Sequence, residues 1–130
     1  DRDGGQGSED DGRDHTVSGP VVGGGGGYRG LGTEADPLLN GGVTLDYEYG
    51  GGLDLTNGSD EVILGCGGQQ IDRIGWDDGA TFPDPTGASM NLAPAHLNEA
   101  ANDDGGHWCE ASSSYGDGDL GTPGGANDPC

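Results

Sequence analysis

Lysine is absent from this sequence, and only Arg2, Arg13, Arg29 and Arg73 carry a permanent positive charge. They stand against 24 acidic residues, which gives a formal net charge of −20 over 130 residues. A polyanion needs a basic footprint on its partner, so nucleic acid is excluded as a ligand. An anionic membrane surface is disfavoured on the same ground. Divalent cations and basic partners stay compatible with the charge. The plainer reading is a solvated acidic surface that keeps a secreted or salt-tolerant protein in solution.

Apolar residues are scarce as well, at 29%, against roughly 45–50% in an ordinary domain. No apolar run approaches the ~18 residues needed to span a bilayer, so direct membrane insertion is not expected. Cysteine is limited to Cys66, Cys109 and Cys130. None lies close enough to another to form the paired spacing of a zinc site. Cys66 and Cys109 each end a short strand-like run beside apolar residues, and a Cys66–Cys109 disulfide is the expected pairing. Cys130 would then pair with something further along. The alternative is three reduced thiols acting as small apolar residues.

Glycine is what the sequence has in excess, at 31 residues. Residues 1–27 hold Val17, Val21 and Val22 and almost nothing else to bury, so this stretch is expected to be poorly ordered. It begins inside an acidic, glycine-rich run and reads as part of a longer protein, any targeting signal lying upstream. Patterning improves from Tyr28. Gly27 to Leu31 can form a short strand. Val43, Leu45, Tyr47 and Tyr49 alternate with Thr44, Asp46 and Glu48, the period of a half-buried strand. Val62-Ile63-Leu64 is a continuous apolar run suited to a strand buried on both faces. Gly67-Gly68 then predicts a hairpin turn into Gln69 to Trp76. In that second arm Ile74 and Trp76 share a parity that Ile71 lacks, so a bulge is expected near Asp72-Arg73. Ser89 to Leu92 predicts a short strand, Asn98 to Gly106 a polar loop, and the tail beyond Cys109 turn and loop. No segment has helical periodicity. Short strands separated by Gly, Asn and Pro turns point to an all-β sandwich or barrel.

Several patterns invite chemistry. Asp1-Arg2-Asp3-Gly4 imitates the start of an EF-hand loop, but Gln6 and Gly12 stand where the turn glycine and bidentate glutamate belong. Asp77-Asp78, Asn102-Asp103-Asp104 and Asp117-Gly118-Asp119 are turns with oxygen donors. Asp103, Asp104, Asp117 and Asp119 are the candidate calcium ligands, set against the bland reading of solvated acidic turns. Gly87 to Asn91 begins like a G-x-S-x-G elbow but lacks its final glycine and its helix. His15, His96 and His107 fit neither a triad nor a zinc helix. Gly25 to Gly30 matches G-x-G-x-x-G only because it contains a glycine run, and no helix follows it. Asn57-Gly58-Ser59 is a glycosylation sequon that has meaning only in a eukaryotic secretory host.

The segment Gly87-Ala88-Ser89-Met90-Asn91-Leu92, the Asn/Asp-rich loop, Trp108 and Gly121-Thr122-Pro123-Gly124-Gly125-Ala126-Asn127 together resemble the close of lamin-tail domains. That family ends in a "G-x-S-(L/M)-x-L" strand, a lone Trp and a "G-T-P-G-x-x-N" finish. Upstream, Gly26 to Gly32, Leu53 to Leu64 and Ile71 to Trp76 are similar to its earlier strands, so the likeness covers residues 26–127. The flavour resembles copies in secreted bacterial proteins. The resemblance implies an immunoglobulin-like β-sandwich over residues 28–127, incomplete at its N-terminus, with residues 128–130 leading to a further region. The family's opening strands have no counterpart here, and glycines stand where relatives carry apolar residues. The resemblance further implies a non-catalytic binding, anchoring or spacer module of an extracellular or cell-envelope protein, serving a protein or cell-surface partner. Trp76, Trp108, Leu64 and Ile74 are its expected core. No cofactor is expected, except that calcium would stabilise the rival reading, an extracellular adhesion module.

Overall fold

The computed structural model describes residues 15–19, 21 and 23–130. The EF-hand-like start at Asp1 to Gly12 lies outside the described residues, as does part of the segment expected to be poorly ordered. Among the described residues the protein is all-β. Eight strands form four two-stranded ladders, and the only helical turns are single 3-10 segments at Gly50–Gly52, Pro94–His96 and Gly105–His107. None is long and apolar enough to cross a membrane.

Strands β1 (Leu31–Gly32) and β2 (Tyr47–Glu48) pair in parallel. The alternation over 43–49 is visible in burial: Val43, Leu45, Tyr47 and Tyr49 are half-buried, while Thr44, Asp46 and Glu48 are exposed. Only two of those residues make a ladder. Asn40 ties down the turn ahead of them, accepting from Val43 N and donating to the carbonyls of Glu34 and Val43, all at 2.9 Å. His15 reaches this layer too, with Nε2 2.8 Å from the Tyr47 hydroxyl.

The longest element is the hairpin of β3 (Ser59–Cys66) and β4 (Gln69–Asp77). Its turn is the expected Gly67-Gly68 pair, with φ of 60° and 78°. Positive φ at both central positions suits glycine and matches the twist of the strands. The register shifts between Leu64, which faces Asp72, and Gly65, which faces Gln70. Ile71 is therefore the extra residue, next to the site where parity called for a bulge. The expectation of a doubly buried β3 fails. Val62, Ile63 and Leu64 are 41%, 49% and 58% exposed, so Leu64 is not a core residue. The run is apolar enough for burial, but the hairpin is a two-stranded ladder and, among the described residues, no other element covers its distal half. Ile74 and Trp76 are half-buried nearer its base. Trp76 Nε1 donates to the Thr56 carbonyl at 2.9 Å.

The core lies further along the chain. Phe82, Leu92 and Ala111 are the buried apolar residues, at 8%, 8% and 2% exposure. Trp108 is half-buried against Phe82, with ring centroids 6.0 Å apart and a tilt of 55°. It stands on β6 (Trp108–Glu110), antiparallel to β5 (Met90–Leu92). The tail is not all loop: β7 (Ser114–Tyr115) and β8 (Asp119–Leu120) form a small hairpin. Positive φ at Gly116 and Gly118 turns the chain between them. Leu120 bridges Ala88, which joins this hairpin to the residues leading into β5.

A carboxylate shapes the turn that leads into this region. Asp77 accepts from Thr81 Oγ1 (2.6 Å), Thr81 N (2.9 Å) and Phe82 N (3.0 Å), fixing the turn that delivers Phe82. Gly105 is buried against the same turn. A Cβ there would sit 2.1 Å from the Thr81 carbonyl oxygen, so only glycine allows this approach.

Candidate functional site

The best-organised part of the molecule is the return of the C-terminal tail onto β5. Asn91 is 3% exposed, a buried amide in the middle of that strand. A buried polar side chain is costly unless its hydrogen bonds are made. Asn91 Nδ2 donates to the Asp128 carbonyl at 2.9 Å, and Asp128 N donates to Asn91 Oδ1 at 3.2 Å. The side chain thus acts as a short extra strand for the tail. One residue earlier, Asn127 Nδ2 donates to the Leu92 carbonyl at 2.8 Å.

The Asp128 carboxylate completes the clasp. Ser113 Oγ donates to it at 2.6 Å, and Ser112 N and Ser113 N each donate at 2.8 Å. The Ser113 hydroxyl and then the two backbone amides hold its pKa down to about 2. Asp77 is held low by the Thr81 hydroxyl and then the Thr81 and Phe82 amides. Asp60 is held low chiefly by the Thr56 amide.

The disulfide belongs to the same clasp and corrects the expected pairing. Cys109 bonds Cys130, with Cα atoms 5.8 Å apart, and Cys66 is free and exposed. Cys66 sits at the tip of the β3–β4 hairpin, whereas Cys109 is in β6 beside the returning tail. The tail's return through Asn127 and Asp128, which spacing alone does not reveal, brings Cys130 to Cys109. The Asn91 amide nitrogen lies 3.5 Å from Cys109 Sγ and 3.8 Å from Cys130 Sγ.

A groove runs beside the clasp. Its narrow part, about 220 Å³, is lined by Ser89, Tyr115, Gly121, Thr122, Pro123 and Asn127. It shares Tyr115 and Gly121 to Pro123 with a wider part of about 650 Å³, walled also by Gly41 to Thr44, Gly116 and Gly124 to Ala126. Tyr115 sits between two glycine backbones. A Cβ at Gly121 would meet Tyr115 Cε1 at 2.9 Å, and one at Gly41 would meet Tyr115 Cε2 at 3.8 Å. None of the lining side chains is charged.

The proposed calcium ligands are placed as follows. Asp103, Asp104, Asp117 and Asp119 are all exposed. Asp104 Oδ1 accepts from Gly106 N at 2.9 Å, capping the turn before β6. Asp117 and Asp119 belong to the β7–β8 hairpin. Among the described residues no three His, Cys, Asp or Glu side chains converge as a metal site would require. The adjacent Asn102 is 6% exposed; its Nδ2 donates to Asp72 at 2.8 Å, and its carbonyl accepts from Trp108 Nε1 at 2.8 Å. Its Oδ1 is buried without a partner among the described residues. A buried acceptor of this kind is completed by a water or a cation.

His96 and His107 stack on one another, with ring centroids 3.6 Å apart and planes within 4°. His107 Nδ1 lies 2.7 Å from the Ala101 carbonyl, so that nitrogen carries the proton. Sequence reasoning singled out both histidines but not their pairing, because a 3-10 turn at Pro94–His96 swings His96 across the loop. It also missed Asn91, Asp128 and Gly105, whose roles are made by contacts distant in sequence.

Comparison of the chain with protein-family models, curated proteins and solved structures finds no match.

Proposed function

We propose that this chain is a lamin-tail-type module, the C-terminal portion of an immunoglobulin-like β-sandwich, that serves as a non-catalytic binding, anchoring or spacing unit. The observation that carries this reading is the meeting of three motif segments distant in sequence. The strand Met90–Leu92 pairs with the strand of Trp108, and the Gly121 to Asn127 finish returns to it through Asn127 Nδ2 on the Leu92 carbonyl. A family signature made of separate pieces has structural meaning only when the fold assembles them. The uncharged groove beside Tyr115 offers a neutral contact surface on a strongly acidic chain. The Cys109–Cys130 disulfide supports an extracellular or envelope location, where such bonds persist.

The test has two arms on the full chain. The module reading expects one cooperative thermal transition in chelator. It also expects no turnover of chromogenic ester, glycoside, phosphoester or peptide substrates. Turnover that disappears in Ser89→Ala would overturn it.

A second reading, a calcium-stabilised adhesion module, draws support from Asn102 Oδ1, a buried unpartnered acceptor next to Asp103. It expects calcium to raise the melting temperature and Asp103→Asn to abolish the rise. Identical melts in calcium and chelator would remove it.

A further inference from the structure

We propose that Asn57 is a self-modification site: its side-chain amide is lost to attack by the Gly58 backbone nitrogen, and the isoaspartate that results loosens the base of the β3–β4 hairpin as the protein ages. This goes beyond the module reading and does not depend on it.

Asn-Gly occurs twice in the chain, at Asn40-Gly41 and Asn57-Gly58. A glycine after asparagine puts no Cβ in the way of the attacking nitrogen, so both have the composition for the reaction. The fold treats them in opposite ways. Asn40 is half-buried and both ends of its amide are held. Nδ2 donates to the carbonyls of Glu34 and Val43, and Oδ1 accepts from Val43 N, each at 2.9 Å. Turning that side chain toward Gly41 N breaks all of these bonds. Asn57 is exposed, and its side chain makes no hydrogen bond among the described residues. Gly58 N likewise donates to no described residue. Asn91, Asn98, Asn102 and Asn127 each have a side-chain hydrogen bond, and they precede Leu92, Glu99, Asp103 and Asp128. Asn57 alone joins an unheld amide to a following glycine.

The reaction needs only water and a base. Base takes the proton from Gly58 N, which attacks Asn57 Cγ beside it in the chain. A C–N bond forms and closes a succinimide ring. The bond from Cγ to Nδ2 breaks, and that nitrogen leaves as ammonia with a proton returned by the base. Water then opens the ring at either carbonyl. Breaking the new C–N bond leaves aspartate. Breaking the original peptide bond leaves isoaspartate, whose main chain runs through Cβ and Cγ. No electrons are gained or lost.

The position gives this change a structural effect. Asn57 lies between two carbonyls that hold the end of β4. Thr56 O accepts from Trp76 Nε1 at 2.9 Å, and Gly58 O accepts from Asp78 N at 3.1 Å. Isoaspartate adds a backbone atom between these carbonyls, so their native spacing is lost. Thr56 cannot shift freely to compensate, because the Asp60 carboxylate holds its N at 2.6 Å and its Oγ1 at 2.8 Å. The new carboxylate also adds negative charge close in sequence to Asp60, on a chain already at −20.

The test is incubation of the full chain in mildly alkaline buffer, followed by peptide mapping that reads the amide-to-acid change by mass. Cleavage after glutamate separates the two sites, because Glu48 lies between them. Asp-Gly sequences isomerise without a mass change and stay out of the readout. In the folded chain Asn57 is expected to convert about tenfold or more faster than Asn40, which reacts only when its bonds open. In concentrated urea the two sites convert at similar rates. Gly58→Ala slows Asn57 several-fold; its Cβ would meet only Asp78 Oδ1, at 3.7 Å, so the hairpin accommodates it. In the isoaspartyl protein the Trp76 indole N–H resonance shifts and that of Trp108 stays. Asn57→Asp, which adds the charge without the extra backbone atom, leaves the Trp76 resonance near its native position. Equal conversion of Asn40 and Asn57 in the folded chain overturns the proposal, as does an Asn57 that converts only in urea. So does an unchanged rate in Gly58→Ala, or a Trp76 resonance that is the same before and after isoaspartate forms.

Discussion

Asn91 and Asp128 exchange two hydrogen bonds, Nδ2 to carbonyl at 2.9 Å and amide to Oδ1 at 3.2 Å, across 37 residues of sequence. The amide of one side chain satisfies both backbone groups of the other residue. Asn91→Ala removes both bonds and strands the Asp128 groups beside a buried strand. The expected loss is about 1–3 kcal/mol of unfolding free energy, read by urea denaturation.

The Asp128 carboxylate gives the clasp a pH dependence. Its folded pKa is about 2, against roughly 3.9 in an unfolded chain. A depressed carboxylate contributes stability that is fully present above the unfolded value. That stability is lost as pH falls through the folded one. Asp60 and Asp77 are also lowered and act in the same direction. Melting temperatures should hold down to about pH 4 and decline from there toward about pH 2. Asp128→Asn should lower the neutral-pH melting temperature and flatten that decline. An unchanged acid slope would show that Asp128 does not contribute to it.

The cysteines separate by role. Cys130→Ser opens a bridge that spans a sequence separation of 21, and chain-entropy arguments put the loss at about 3 kcal/mol. Cys66→Ser touches an exposed thiol at the hairpin tip and should change the stability of the monomer by less than about 0.5 kcal/mol. Denaturant titration of both variants in dilute, low-salt buffer checks the contrast.

Gly105→Ala should be among the most damaging small substitutions. Its Cβ would press on the Thr81 carbonyl oxygen and Phe82 N, which Asp77 holds in place. Backbone cannot yield as a side-chain end can, and overpacking of this kind costs about 1–3 kcal/mol. The same change at Gly24, where nothing lies within 4 Å, is the control and should be nearly neutral in a thermal melt.

The strands were legible where local signals decide them. Gly67-Gly68 marks its own turn by positive φ, and the mismatch of Ile71 with Ile74 and Trp76 announced a bulge one residue from where it lies. The core was less legible. Val62-Ile63-Leu64 reads as buried from hydropathy alone, yet burial needs a covering element and none of the described residues supplies one over the tip. The clasp was hidden for another reason. Asn91, Asn127 and Asp128 look like ordinary turn formers, and only the return of the tail makes Asn91 a strand partner and Cys130 the mate of Cys109. Trp108 and the Gly121 to Asn127 finish both meet β5 at Leu92, the first as its ladder partner and the second through the Asn127 amide on its carbonyl.

Native-state hydrogen exchange tests most directly the claim that the C-terminal return is an integral part of one β module. The amides of Ala93, Ala111, Gly121 and Asp128 donate to His107 O, Ser89 O, Ser113 O and Asn91 Oδ1 in turn. The account predicts that these four are protected together, with a common opening free energy that falls in parallel in Asn91→Ala. Free exchange of Gly121 and Asp128 beside a protected β5–β6 pair would contradict it.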